Sequence, residues 1–142
     1  MKTKMILLAV TMLLGSSAFA ETPYARNCRI TGGQFWVVDV NTKVDLSLCL
    51  FGDAAIGAAE LAHYKWNDLG IGMSITTFQA QTAKLNVQGV CNKLDASSLV
   101  ATDSSGHTWN LCVFADNSVI EAHTLANGVN SPANAGLVEA LK

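Results

Sequence analysis

The residues of this chain best suited to covalent chemistry are four cysteines, Cys28, Cys49, Cys91 and Cys112. Cysteine thiolates can serve redox catalysis, bind zinc or form structural disulfides. Redox and zinc sites usually contain closely spaced pairs such as C-x-x-C, and the sequence has none. An even number of cysteines in a chain that leaves the cytoplasm is typical of disulfides, and four cysteines allow three pairings. The composition therefore favours two structural disulfides over a redox or metal site.

A tandem repeat selects one of these pairings. Cys28 and Cys49 are 21 positions apart, as are Cys91 and Cys112, and a shift of 63 positions superimposes the two pairs. The same shift aligns the segments CLFGD and CVFAD, which begin at the second cysteine of each pair. If the two copies are equivalent, Cys28 pairs with Cys49 and Cys91 pairs with Cys112. Each bridge closes a loop that contributes about 3 kcal/mol in the chain-entropy account.

The histidines and carboxylates are the next candidates for chemistry. Asp116, Glu121 and His123 are close in sequence and could form a metal site or a general base at the start of a helix. Ordinary structural roles explain them better, with Asp116 in a turn or at an N-cap and Glu121 and His123 on a solvated helix face. His63 would need a carboxylate in a cleft between the two copies to act in catalysis. We therefore expect no enzyme activity, no metal and no cofactor.

Three tryptophans are candidates for binding a partner or a sugar: Trp36, Trp66 and Trp109. Trp36 and Trp109 lie in apolar, alternating stretches that are typical of core strands. Trp66 ends a helical stretch beside Tyr64, so these two residues are the predicted contact residues, with packing in the core or between the modules as the alternative for Trp66.

The first twenty residues predict where the protein goes. Lys2 and Lys4 precede an apolar run of ten residues, and Ala18-Phe19-Ala20 matches a signal peptidase site. The run is too short to span a bilayer, so we expect cleavage after Ala20, no stable membrane anchor and a periplasmic or secreted protein. The remaining chain keeps all eleven acidic residues and loses two of nine basic ones, for a formal charge of −4. This charge disfavours a nucleic-acid binder.

Periodicity and turn residues predict an α+β fold of two tandem small disulfide-closed modules, each a short helix, a β-hairpin and a helix. In the first copy, Thr22-Pro23 starts a helix that Gly32-Gly33 ends, and a turn at 41–43 joins the two strands. The predicted boundaries are a signal peptide at 1–20, a first module at 21–68, a linker at 69–88, a second module at 89–130 and a C-terminal helix at 131–142. The predicted elements are strands at 34–40 and 44–51, a helix at 54–67, a possible strand at 73–79, strands at 99–102 and 107–114, and a helix or third strand at 118–126.

The second copy resembles a family of short exported bacterial domains of unknown function that carry the label "putative hemolysin". The family pattern is a cysteine before Gly-Gly, a hairpin, and then C-x-F-x-D-G-S. Cys28 with Gly32-Gly33 matches the first part, and CVFADNS at 112–118 is close to the last, with Asn117 in place of the glycine. The chain departs from the family in lacking two further cysteines and the family tryptophan. The resemblance implies a fold and says little about function.

These observations predict an exported, soluble module that binds an unknown protein or envelope component. The oligomeric state stays open. Two alternatives remain: a secreted membrane-acting, hemolysin-like factor, and a small periplasmic hydrolase with a His/carboxylate site between the modules. An exposed aromatic patch would favour the binding protein, and a cleft with His63 or His123 beside a carboxylate would favour the hydrolase.

Overall fold

The computed structural model describes residues 21–40 and 45–142. The predicted signal peptide and the predicted turn at 41–43 lie outside these residues. The helices and strands are α1 (Pro23–Ile30), β1 (Gln34–Asp39), β2 (Asp45–Phe51), β3 (Ala54–Gly57), α2 (Ala58–Trp66), α3 (Met73–Ala80), α4 (Val90–Lys93), β4 (Ser97–Asp103), β5 (Thr108–Val113), β6 (Val119–Glu121), α5 (Ala122–Asn127) and α6 (Ala135–Ala140), with a 3-10 turn at Pro132–Asn134.

The six strands form one closed antiparallel barrel in the order β1-β2-β3-β6-β5-β4. The first half of the chain contributes the meander β1-β2-β3, and the second half contributes β4-β5-β6. Two seams join the halves, and each seam pairs equivalent strands. At the first seam, Ile56 of β3 pairs with Ile120 of β6. At the second seam, the last two residues of β1 pair with the last two residues of β4. The halves are thus related by an approximate two-fold axis.

The prediction of two separate helix–hairpin–helix modules is therefore wrong, although the chain does combine helices and strands. A three-stranded meander leaves its two outer strands with unpaired N–H and C=O groups. The other half supplies partners for both outer strands, so the two meanders close into a single barrel. Both hydrophobic clusters of the described residues contain side chains from each half.

The strand alternation predicted for the first hairpin is confirmed in β2. Leu46, Leu48 and Leu50 face the barrel interior with Val38 and Leu111. Cys49 and Phe51 face the opposite way, into a larger core between the barrel and the helices. This period of two residues gives β2 two apolar faces, which is why both layers can pack against it.

The two disulfides have the predicted pairing. Cys28 of α1 is bonded to Cys49 of β2, with 5.6 Å between the Cα atoms. Cys91 of α4 is bonded to Cys112 of β5, with 5.1 Å between the Cα atoms. Each bond therefore fastens a helix to the middle strand of its own half.

The repeat slips by one residue at the turn after the second cysteine of each pair. Cys49 pairs with Ile56 across the first turn, whereas Cys112 pairs with Ile120 across the second. Both turns contain a residue with positive φ, Gly52 at 62° in the first and Asn117 at 65° in the second. Beyond this turn the structural shift is 64 positions, so Ile56 is equivalent to Ile120 and not to Val119.

Three local predictions change in the structure. The helix predicted at 54–67 begins only at Ala58, because Ala54–Gly57 is a buried strand between β2 and β6. The possible strand at 73–79 is helix α3. Residues 118–126 contain both of the predicted alternatives, strand β6 followed by helix α5. The start of α1 is as predicted, since Ala25 N–H donates to Thr22 Oγ1 at 3.2 Å.

Candidate binding surface and the cleft beside it

In the described part of the chain, large apolar side chains are exposed mainly in one region of the fold. Seven such residues are exposed, and five of them are close to the C-terminal ends of α1 and α2 or to the start of α3. The other two, Val37 and Val100, are equivalent residues of β1 and β4. We call the five together the apolar surface: Ile30, Trp66, Leu69, Ile71 and Met73.

Grooves connect the members of the apolar surface. Ile30 and Trp66 line one groove with Arg26, with a volume of about 410 Å³. Leu69 and Ile71 line a second cleft, together with His63. The His63 ring is in edge contact with the Trp66 ring, with 5.5 Å between the ring centroids. Four of the five side chains thus border two depressions, which the contact between His63 and Trp66 connects.

The residues that connect α2 to α3 are held at both ends and exposed in the middle. We call residues 68–72 the presented segment. At its start, Asp68 Oδ1 lies 2.8 Å from His63 Nδ1. At its end, Met73 N–H donates to Asp116 Oδ2 at 2.8 Å. Between these anchors Leu69 is 74% exposed and Ile71 is 58% exposed, an arrangement that presents two apolar side chains on an anchored backbone.

The two predicted contact residues differ in their surroundings. Trp66 is 43% exposed, and its ring stacks on Tyr24 with 6.0 Å between the ring centroids. Tyr64 packs against the main core, and its hydroxyl donates to the backbone oxygen of Leu141 at 2.8 Å. Trp66 therefore offers an accessible, supported aromatic face, whereas the hydroxyl of Tyr64 ties α2 to the C-terminal end of the chain.

A cleft of about 250 Å³ lies between the two halves of the protein, beside the presented segment. We call it the inter-half cleft. Helix α2 of the first half forms one wall, and the turn between β5 and β6 of the second half forms another. The presented segment forms a third. The lining residues are Ala59, Glu60, His63, Leu69, Gly70, Ile71, Gly72, Asp116 and Ser118.

Glu60 is the titratable group most altered by this environment. Its carboxylate folds back over the backbone of Gly57, where a side chain would collide with it. Burial, together with the negative charge of Asp116, raises the pKa of Glu60 to about 7. The N–H groups of Glu60 itself and of Val119, and the nearby His63, oppose this shift. Glu60 therefore changes its charge near neutral pH, unlike an ordinary carboxyl group.

Asp116 has the opposite behaviour in the same cleft. Burial alone would raise its pKa, but hydrogen bonds outweigh burial and leave the pKa below its ordinary value. Asp116 Oδ1 accepts from the hydroxyl of Ser118 at 2.6 Å, and Oδ2 accepts from Met73 N–H. A carboxylate that accepts several hydrogen bonds is stabilised in its charged form. Asp116 thus stays ionised, and its hydrogen bond from Met73 N–H connects the turn between β5 and β6 to the start of α3.

The second half has a related arrangement at the equivalent place. The 64-position shift makes Thr124 the counterpart of Glu60 and Glu121 the counterpart of Gly57. Glu121 is buried and caps α5, accepting from Thr124 N–H at 2.7 Å and from the Thr124 hydroxyl at 2.9 Å. Thr124 Oγ1 in turn accepts from Ala55 N–H of β3 at 3.0 Å. Both halves therefore place a carboxylate at the start of the helix after the third strand, but from different sequence positions.

The histidines are distributed over three places. His63 lies in the inter-half cleft, with Nε2 3.2 Å from the hydroxyl of Tyr24. His123 is exposed and its Nδ1 is 2.9 Å from Glu121 Oε1, while the His107 ring contacts Trp109. Asp116 lines the cleft, whereas Glu121 and His123 belong to the cap of α5. Among residues 21–40 and 45–142, no group of three His, Cys, Asp or Glu side chains is placed to hold a metal ion.

The sequence did not single out Glu60, Leu69 or Ile71. Glu60 is the third residue of a helix, and that position could have indicated a carboxylate folded back on the helix start. The predicted helix began four residues too early, which hid this position. Leu69 and Ile71 lie in a stretch that was expected to be a linker, and the alternation of apolar residues with Gly70 and Gly72 was its one visible signal.

The part of the chain that the structure describes contains no helix long and apolar enough to cross a bilayer. Comparison of the chain with protein-family models, with curated proteins and with solved structures gives no match.

Proposed function

We propose that this chain is an exported binding protein that recognises a protein partner through the apolar surface around Trp66, Leu69 and Ile71. The observation that carries the proposal is the exposure of these side chains on an anchored segment. Large apolar patches on small exported proteins usually mark interaction sites. Aromatic and aliphatic side chains in such patches commonly provide most of the binding energy.

The disulfides and the predicted signal peptide support an extracytoplasmic location. Disulfides form and persist in the periplasm and outside the cell and are rare in the cytoplasm. Each of them connects a helix to the barrel. A scaffold stiffened in this way loses little conformational entropy on binding, so more of the contact energy contributes to affinity.

The inter-half cleft meets the geometric condition of the hydrolase alternative, but the hydroxyl of Ser118 that lines it is already engaged. The inter-half cleft brings His63 close to Glu60 and Asp116, as the hydrolase alternative requires. The hydroxyl in this cleft belongs to Ser118, and it already donates to Asp116 and accepts from Ser74 N–H. Nucleophilic catalysis needs a hydroxyl that a base can activate and a substrate can approach. Ser118 instead holds α3 against the turn.

A site-specific photo-crosslinking experiment tests the proposal. A photoreactive residue is placed at Leu69 in the mature, oxidised protein, and a matched one is placed at Val100, which is exposed on the barrel wall. Both proteins are irradiated with the native envelope fraction and culture fluid. We expect a defined protein adduct from position 69 and not from position 100. Equal adduct patterns at the two positions would contradict the proposal, and an adduct between two copies of this chain would replace it with self-association.

Affinity measurements with the recovered partner provide the second step. Leu69→Ser should weaken binding by about thirtyfold, because central interface residues often contribute about 2 kcal/mol. Val100→Ser removes a similarly exposed apolar side chain and should leave binding unchanged. Liposome leakage by the mature protein would identify the membrane-acting alternative.

A further inference from the structure

We propose that the groove between α1 and α2 holds the C-terminal residue of the protein partner. Arg26 and Asn27 bind the terminal carboxylate of the partner. Ile30 and Trp66 contact the apolar side chain of the same residue. The inference rests on the proposed function, because Ile30 and Trp66 belong to the apolar surface, and it adds the chemistry of the group that is recognised.

One face of α1 forms most of this groove, which we call the α1–α2 groove. The residues that line it from α1 follow the helical spacing i, i+3, i+4, i+7: Pro23, Arg26, Asn27 and Ile30. Trp66, the last residue of α2, lines the groove from the neighbouring helix. The volume of about 410 Å³ suits one or two amino-acid residues rather than a long segment.

Arg26 supplies the groove with a positive charge that the protein does not pair. Among residues 21–40 and 45–142, no ion pair includes Arg26. The acidic residue that lines the groove is Glu21, and its two carboxylate oxygens accept from Arg29 at 3.0 and 3.1 Å. The hydrogen bond from Arg29 lowers the pKa of Glu21, and the charge of Arg26 adds a smaller effect. A guanidinium group binds a carboxylate through two parallel hydrogen bonds, so Arg26 is suited to a carboxylate from outside.

Asn27 adds a buried amide without a partner. The side chain is 4% exposed, and within the described part of the chain its Nδ2 atom has no hydrogen-bond partner. Such a donor destabilises the fold and is rare in folded proteins. The counterpart of Asn27 at the 63-position shift is Val90, which is packed in the core. The second half thus fills the equivalent position with an apolar residue, so the fold does not require an amide here.

A small rotation makes the amide of Asn27 available to a ligand. A half-turn about the Cβ–Cγ bond exchanges the nitrogen and oxygen atoms without changing the shape of the side chain. Nδ2 can therefore face the groove and donate to a carboxylate that Arg26 holds. The two donors are adjacent residues of one helix, so one carboxylate group can accept from both.

The apolar walls distinguish a chain terminus from an internal acidic residue. Ile30 is four residues after Arg26, about 6 Å further along the axis of α1. A C-terminal residue carries its carboxylate and its side chain on the same Cα atom, so it can reach Arg26 and Ile30 together. An internal aspartate or glutamate has its carboxylate at the end of the side chain, and a second residue would have to fill the apolar part. Since Ile30 and Trp66 are both exposed, we expect an apolar final residue.

Titration with peptide pools, followed by NMR of the mature, oxidised protein, tests the inference. The pools contain short acetylated peptides of mixed sequence that end in leucine, with either a free carboxylate or a carboxamide. The reporters are the side-chain amide of Asn27 and the indole N–H of Trp66. The free-acid pool should shift both resonances and bind at least about tenfold more tightly than the amidated pool. A free-acid pool that ends in serine should bind more weakly. Equal binding of the acid and amide pools, or no shift of either resonance, overturns the proposal.

Two variants assign the binding to the groove. Arg26→Gln should weaken binding of the free-acid pool by about tenfold, whereas Lys93→Gln removes an exposed base from α4 of the other half and should leave it unchanged. Asn27→Val should also weaken binding, yet it should raise the urea midpoint because it removes a buried donor without a partner. Unchanged binding in Arg26→Gln overturns the proposal, and a lowered urea midpoint with unchanged binding in Asn27→Val removes Asn27 from it. If Asn27→Val does not fold, Arg26→Gln decides.

The crosslinking experiment at position 69 is independent of these titrations. A defined protein adduct at Leu69 together with equal binding of the two pools overturns the groove and keeps the binding surface. Carboxylate-dependent binding in the groove together with equal adducts at positions 69 and 100 keeps the groove and overturns the wider surface.

Discussion

Replacing Gly33 with alanine should destabilise the protein although the backbone at this position suits any residue. Gly33 does not have a positive φ, so a side chain causes no backbone strain. A Cβ atom there would be 2.4 Å from Cys49 Sγ and 3.0 Å from both Cys28 Sγ and the Cζ atom of Phe51. Contacts shorter than 3.0 Å require one of the partners to move, and both sulfur atoms belong to a fully buried disulfide that joins α1 to β2.

The magnitude follows from two opposing terms. Overpacking a rigid core site costs about 3 kcal/mol. Replacing glycine by alanine reduces the entropy of the unfolded chain and returns about 1 kcal/mol. We therefore expect Gly33→Ala to lower the free energy of unfolding by about 2 kcal/mol, and the Tm by about 8 °C for a chain of this size. Urea denaturation followed by circular dichroism, with the disulfides intact, provides the measurement.

The repeat provides two controls for this prediction. Ala96 is the equivalent residue beside the Cys91–Cys112 bond, where a methyl group is already packed in the core. Ala96→Gly should cost about 1 kcal/mol or less. In a Cys28→Ala, Cys49→Ala background the sulfur atoms are gone, so Gly33→Ala should cost less than about 0.5 kcal/mol. A change of Gly33 that costs the same with and without the sulfur atoms would refute the steric argument.

Three further predictions concern the halves and their contact. Replacing Cys28 and Cys49 together with alanine should lower the free energy of unfolding by about 3 kcal/mol in urea titrations, and a change below about 1 kcal/mol would contradict the loop-closure account. Thr124→Val removes the acceptor for Ala55 N–H and should cost about 2 kcal/mol, whereas Thr124→Ser keeps the hydroxyl and should cost less. Because the folded protein holds a proton on Glu60 that the unfolded chain releases, the free energy of unfolding should decline as pH rises from 4.5 to about 7. Glu60→Gln should lack this decline, and an identical pH profile for the two proteins would show that another group is responsible.

The features that the sequence predicts correctly depend on local signals or on the repeat. The disulfide pairing follows from the equal spacing of the cysteines, and the alternation in β2 follows from its period of two residues. The start of α1 follows from the cap formed by Thr22 and Pro23. Each of these signals lies within a few residues or is duplicated in the chain, so no knowledge of long-range contacts is needed.

The barrel could not be predicted in this way, because both of its seams join residues more than sixty positions apart. Ala54–Gly57 contains small apolar residues that suit a helix as well as a strand. It becomes a strand because β2 and β6 pair with it on both sides. In α3, the β-branched residues indicate a strand, yet Ile75 and Phe78 are three positions apart and both are buried in the core. Tertiary packing decides in both cases.

The apolar surface and the inter-half cleft also could not be predicted from the sequence, for different reasons. Exposure cannot be inferred for Leu69 and Ile71 from their residue types, because most apolar residues are buried. The raised pKa of Glu60 comes first from its burial and then from the charge of Asp116, which belongs to the other half of the chain. Trp66 was predicted as a contact residue because it ends a helical stretch beside Tyr64, although that local context favoured packing over exposure.

The pairing of like strands at both seams has a consequence for how this barrel could arise. If the halves were separate chains, their assembly would be a second-order process, and a protein diluted outside the cell would dissociate. Joining them in one polypeptide replaces dilution-dependent assembly with a fixed effective concentration. Once joined, the two halves no longer need to have identical sequences. The difference between Glu60 and its counterpart Thr124 is an example of such divergence.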